Sequence, residues 1–137
     1  MMNRKLALAG MAIVLLLAAA GPGRSDNHNG YTTPFDSLAR SETENNFFKA
    51  ASSGDLATLA MLLDQNPDLI SAKHPGDLKT PLHVAAMCGK YQAVQLLLNR
   101  GADPNARDIY GKSPYYYARI AYFWKTANLL RQRGARR

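Results

Sequence analysis

Thr80-Pro81-Leu82-His83-Val84-Ala85-Ala86-Met87-Cys88-Gly89 is the stretch that decides the fold. Thr80 suits a helix N-cap, because its hydroxyl can accept from a free N–H of the first turn. Pro81 suits the first helical position, where its missing N–H would be unpaired anyway. Leu82 is expected to face a core, and Ala85 and Ala86 are small enough to let a neighbouring helix come close. Gly89 can adopt the left-handed conformation that ends a helix. Beyond it, Tyr91, Val94, Leu97 and Leu98 recur at helical spacing, which predicts a second helix. Gly101 ends that helix, and Asp103 and Asn105 can hold a turn by bonding to nearby backbone.

The same pattern recurs on both sides. A shift of 33 residues places Thr80-Pro81 on Ser113-Pro114, Ala85 on Ala118, Leu96-Leu97 on Leu129-Leu130 and Gly101-Ala102 on Gly134-Ala135. A backward shift of 35 places Ala85-Ala86 on Ala50-Ala51, Gly89 on Gly54 and Leu97-Leu98 on Leu62-Leu63. The two extra residues fall within Asp64 to Lys79. A repeat of this period is the mark of a stacked array in which each unit buries its apolar face on the next.

From about Ser41 to Ala135 the sequence resembles ankyrin repeats. The resemblance implies an all-α fold: a short solenoid of about three helix-turn-helix repeats joined by hairpin-like loops. The repeats are placed at about 45–77, 78–110 and 111–137, within a domain of 41–137. The first copy has Asn45-Asn46 where the second has Thr-Pro, and Ser41-Glu42-Thr43-Glu44 reads as a capping box that starts its helix. In the third copy Tyr116 stands for His83, Arg119 for an Ala, Tyr122 for the Gly and Arg131 for a Leu. Polar replacements of this kind suit a terminal repeat.

The region before the repeats reads differently. Arg4 and Lys5 precede an apolar Leu- and Ala-rich run from Leu6 to Ala20, which closes on Ala18-Ala19-Ala20. That is the anatomy of a secretory signal peptide, 1–20, and predicts a periplasmic or secreted protein. The run is short for crossing ~30 Å of hydrocarbon. Residues 21–40, rich in Gly, Asn, Ser and Thr, read as a flexible linker, with Phe35 to Arg40 able to dock on the first repeat. The resemblance then extends to small exported bacterial-type ankyrin proteins. Charge is lopsided: residues 107–137 carry eight basic residues against Asp108 alone, whereas 21–106 hold seven basic and nine acidic residues. Such a pole attracts acidic surfaces. The single cysteine, Cys88, cannot staple the chain to itself.

Nothing in the sequence assembles a catalytic set. Of the three histidines, His28 lies in the linker, His74 lies in a loop before Pro75-Gly76, and His83 occupies the repeat motif. The resemblance implies for His83 a structural hydrogen bond to a neighbouring loop. Cys88, five residues further on, would be turned roughly 140° from it on a helix, which argues against a dyad. There is no HExxH, CxxC or Gly-rich phosphate loop. Asp103 and Asp108 fall at loop positions. The reading is therefore not an enzyme, with no cofactor and no metal.

Tyr110, Tyr115, Tyr116, Tyr117, Tyr122, Phe123 and Trp124 crowd the third copy. Interleaved with cations, they could stack nucleic-acid bases. Export and their repeat positions argue instead for packing: Tyr115 matches Leu82 and Trp124 matches Tyr91. No nucleic-acid partner is expected. Tyr110 is the exception, at a loop tip. By resemblance, partner-contacting positions fall on Lys79, Met87, Arg107, Ile109, Tyr110, Lys112 and Ile120. The expected function is protein binding in the cell envelope, as an adaptor or accessory factor, by a monomer whose partner has an acidic surface. The alternatives are an inhibitor or immunity protein against an envelope-acting toxin, and a peripheral membrane binder using the Arg-rich end.

Overall fold

Among the described residues the fold is built from three helical pairs. In a computed structural model the backbone is described for residues 34–136 and the side chains for residues 41–136. The expected signal peptide, His28 and the linker up to residue 33 lie outside the described residues. Phe35–Arg137 forms one compact unit. The described elements are α1 (Pro34–Ser53), α2 (Leu56–Gln65), a short 3-10 helix (Pro67–Ser71), α3 (Pro81–Met87), α4 (Tyr91–Asn99), α5 (Pro114–Ile120) and α6 (Trp124–Gln132). Each pair is a helix, a tight turn and a returning helix, so the architecture is a short ankyrin-type solenoid of three repeats. Among the described residues no helix is long and apolar enough to cross a membrane.

Successive units stack like on like. α3 packs on α5, and the returning helices α2, α4 and α6 pack in sequence. The core runs through all three: Phe47, Ala51, Leu59, Leu82, Ala85, Ala86, Val94, Leu97, Ala118 and Leu130 are buried. The alanines do what their size allows, bringing helices close without a gap. Arg119 and Arg131 are exposed where Ala86 and Leu98 are buried one repeat earlier.

The caps follow the sequence. Thr80 accepts from the His83 N–H, and Nδ1 of His83 accepts from the Thr80 N–H at 3.1 Å, a reciprocal box. Ser113 caps α5 by accepting from the Tyr116 N–H. Asp55 caps α2 by accepting from the Thr58 N–H.

Two boundaries differ from expectation. The first helix starts at Pro34, not at Ser41, so residues 34–40 are helical rather than linker. Thr33-Pro34 repeats in sequence the Thr-Pro that opens α3, and proline favours the first turn. Ser41 to Glu44 therefore lie inside the helix and cannot form its cap. The extra length between the first and second repeats becomes the 3-10 helix, which seats Leu69 in the core. Asn66 caps it by accepting from the Asp68 N–H.

The turns inside each pair are close-packed. Gly89 has φ +65°, and a Cβ there would stand 2.6 Å from the Phe123 ring. The equivalent Gly54 lies under the aliphatic stem of Lys90 in the same way. One repeat's turn thus rests on the glycine of the turn before it.

Candidate functional site

The hairpin-like loops between repeats form a fixed ledge. In the second loop the Asp108 carboxylate accepts from the Tyr110 N–H at 3.0 Å, from the Lys112 N–H at 2.8 Å and from the Tyr117 hydroxyl at 2.5 Å. Burial pushes the Asp108 carboxyl up, but these donors outweigh it, so it is held below the usual carboxylate range. Burial and the bond to Asp108 keep the Tyr117 phenol protonated, well above its ordinary range.

His83 ties this loop to the repeat before it. Its ring is buried, with Nε2 donating to the Lys112 carbonyl at 3.0 Å while Nδ1 accepts from Thr80. That arrangement uses a neutral ring, and burial lowers its proton affinity accordingly. Both nitrogens are occupied, which leaves neither to activate Cys88. Main chain joins the two loops as well, since the Ile109 N–H donates to the Asp77 carbonyl at 2.9 Å. The turn that opens the second loop is held by Asp103, which accepts from the Asn105 N–H. Asn105 in turn donates to the Gly134 carbonyl and accepts from the Arg136 N–H.

On this ledge the seven expected contact residues sort unevenly. Ile109 is 56% exposed and Tyr110 69%. Met87 and Ile120, near the ends of α3 and α5, are also exposed. Arg107 is exposed and donates to the Gly111 carbonyl. Lys112 is half-buried, with its ammonium 4.5 Å from the Tyr116 ring centre. Lys79 is the least available, with only 14% of its side chain exposed. Its ammonium bonds Asp77 at 2.8 Å and lies near the Tyr110 and Tyr117 rings. The Asp77 bond raises the Lys79 proton affinity and lowers that of Asp77. His74, expected to be solvated, is exposed and also lies 3.3 Å from Asp77.

Sequence reasoning noted Tyr122 in place of a glycine without reading the backbone it adopts, and missed Leu78. Leu78 and Tyr122 have φ of +57° and +62°, a region that disfavours side chains, and both are exposed. The signal was present in the 33-residue shift: Leu78 falls on Gly111 and Tyr122 on Gly89, glycines that take the same conformation at no steric cost. Packing was also expected of Tyr122, Phe123 and Trp124. The structure bears this out for Phe123, whose ring packs on Gly89, and corrects it for Tyr122 and Trp124, which are exposed: Tyr122 lies in the turn, and Trp124 opens the returning helix as the exposed Tyr91 does in the preceding repeat. Tyr115 does pack against the core as expected. Among the described residues no group of three His, Cys, Asp or Glu side chains is placed to hold a metal.

Residues 77–109 match the family model of the ankyrin repeat. The chain is 38% identical over 82 residues to the E3 ubiquitin-protein ligase XB3 of Oryza sativa subsp. japonica, covering 60% of this chain and 18% of that protein. It is 32% identical over 122 residues to the serine/threonine-protein kinase VIK of Arabidopsis thaliana, covering 85% and 28%. It is 34% identical over 86 residues to the human ARF GTPase-activating protein GIT1, covering 63% and 11%. The chain spans less than a third of each of these relatives. They come from plants and a mammal and lend no support to a bacterial-type origin. Ankyrin repeats are generic protein-interaction modules, usually without catalytic function, and that coarse assignment holds for this fold.

Proposed function

We propose that this chain is a non-catalytic binding module that grips a partner protein with its loop tips and the adjoining face of α3 and α5. The observation that carries the reading is the pair Ile109 and Tyr110, exposed on a loop whose backbone Asp108 and His83 hold rigid. A rigid aromatic presented on a fixed loop loses little freedom on binding, which is why Tyr is common among hot spots. Met87 and Ile120 extend the apolar surface, and Arg107 supplies a charge that steers an acidic partner.

The finer reading is an adaptor or accessory factor in the cell envelope, reached by export. The apolar run Leu6 to Ala20 after Arg4-Lys5 supports it. N-terminal sequencing of the protein from its native source would begin near Gly21; full-length chain in the cytoplasm refutes export. A toxin inhibitor would use the same face.

The decisive experiment is affinity capture with the native chain and with Tyr110→Ala. A partner held by the native chain should bind the variant more weakly by ~1–3 kcal/mol, with circular dichroism and melting point kept. Tyr115→Ala should instead unfold the last repeat. A folded Tyr110→Ala that binds normally excludes the loop tip.

A further inference from the structure

The turn between α5 and α6 carries a feature that a protein-gripping loop face does not use. Tyr122 is 75% exposed and Trp124 57%, with Phe123 beside them seated on Gly89. The Tyr122 and Trp124 rings meet edge to face, 5.9 Å between centres at 70°. Tyr91 is exposed at the matching position of the preceding turn.

Tyr122 holds this place against its own backbone. The two earlier turns use Gly54 and Gly89 at φ +78° and +65°, whereas Tyr122 takes φ +62° with a bulky side chain. Its ring gains little packing in return, since its aromatic neighbour Trp124 is itself mostly in solvent. Strain without a folding benefit points to function.

Among the described residues, the exposed charges next to the rings in the chain are basic: Arg119 lies in the last turn of α5 and Lys125 follows Trp124. The one acid in residues 107–137, Asp108, is buried with its oxygens taken by the loop. Asp55, which caps α2 at the first turn, sits two turns away.

The geometry points to the turn edge of the third repeat, Tyr122 and Trp124 flanked by Arg119 and Lys125, as a docking surface for an anionic lipid membrane. Tyr and Trp settle at the headgroup level, apolar body inward and polar tip in water. Lysines and arginines beside them are drawn to the negative surface. Edge-to-face rings do not form a row of parallel platforms, which disfavours successive stacked bases of a nucleic acid.

Trp124 is the sole tryptophan, so its fluorescence reports on this site alone. The full chain is titrated with phosphatidylcholine vesicles, with and without phosphatidylserine. Emission should shift to the blue only with phosphatidylserine, and salt should reverse it. Lys125→Gln should weaken partitioning roughly fivefold. Tyr122→Gly should abolish the shift while raising the melting temperature, a combination that a structural role for the ring would not produce. The proposal is overturned if Tyr122→Gly partitions like the native chain or melts lower. It is equally overturned if the chain pellets with vesicles while Trp124 emission stays put, which would place the contact elsewhere. A shift seen with polyglutamate or an oligonucleotide but not with vesicles also overturns it, in favour of an acidic protein or a nucleic acid.

Discussion

Replacing Asp108 with alanine would strip the loop between the second and third repeats of its organiser. The carboxylate is buried and accepts three bonds, from two backbone amides and the Tyr117 hydroxyl. Hydrogen bonds to a charged group contribute about 1.5–3 kcal/mol each, and donors left buried and unpaired cost about 1–3 kcal/mol. Tyr110 is exposed and its amide can regain water, so the three losses do not add fully. The net expectation for Asp108→Ala is ~2–4 kcal/mol. At about 4–8 °C per kcal/mol for a domain of this size, the melting temperature should fall by roughly 8–30 °C. Asp108→Asn keeps an oxygen for the two amides and can donate to the Tyr117 oxygen, so it should cost ~1 kcal/mol. Thermal melts by circular dichroism measure both. Hydrogen exchange should show α5 and α6 losing protection first, since the loop and His83 join them to the repeat before. An Asp108→Ala chain that melts like the native one would refute the loop's role in coupling the repeats.

Four further outcomes are expected. Leu97→Ala, at a fully buried site, should destabilise by ~2–5 kcal/mol, read by denaturant titration; an unchanged midpoint would mean that the repeat register is wrong. Gly89→Ala should destabilise by at least ~1 kcal/mol, from left-handed strain and from the Phe123 ring 2.6 Å from the new Cβ. His83 has its proton affinity lowered by burial, so the unfolded chain binds more protons below its ordinary pKa of about 6.5. Stability should therefore fall as pH drops from about 6.5 towards the folded value, and His83→Gln should flatten that limb of the profile. The paired binding test of Tyr110→Ala and Tyr115→Ala separates loop-tip contact from loss of fold.

The repeat core was legible because it rests on local chemistry. Thr80-Pro81, the alanine pair and Gly89 state a cap, a close approach and a stop within ten residues. The start of α1 was not, since a capping-box pattern at Ser41 is compatible with a helix interior. The 3-10 helix was hidden in a two-residue excess, which gives a length and no conformation. The exposed loop tip at Ile109 and Tyr110 was legible from register. The lock around it was not, because the Tyr117 hydroxyl reaches Asp108 across nine residues and only three-dimensional packing brings them together. Lys79 was expected at a contact, and its pairing with Asp77 shows why a charge at the right register can still be occupied within the protein. The exposure of Trp124 was misjudged because matching it to Tyr91 says nothing about depth until the depth of Tyr91 is known.

The packing of each turn on the glycine before it makes the repeats directional parts, not interchangeable bricks. Lys90 rests on Gly54 and Phe123 rests on Gly89, but the slot that a further unit would occupy holds the Cβ of Tyr122. A consensus repeat grafted after Ala135 would meet a filled socket where the second repeat offers an empty one. Anyone lengthening the array by engineering would first have to restore glycine at position 122, and would remove the exposed tyrosine in the same stroke.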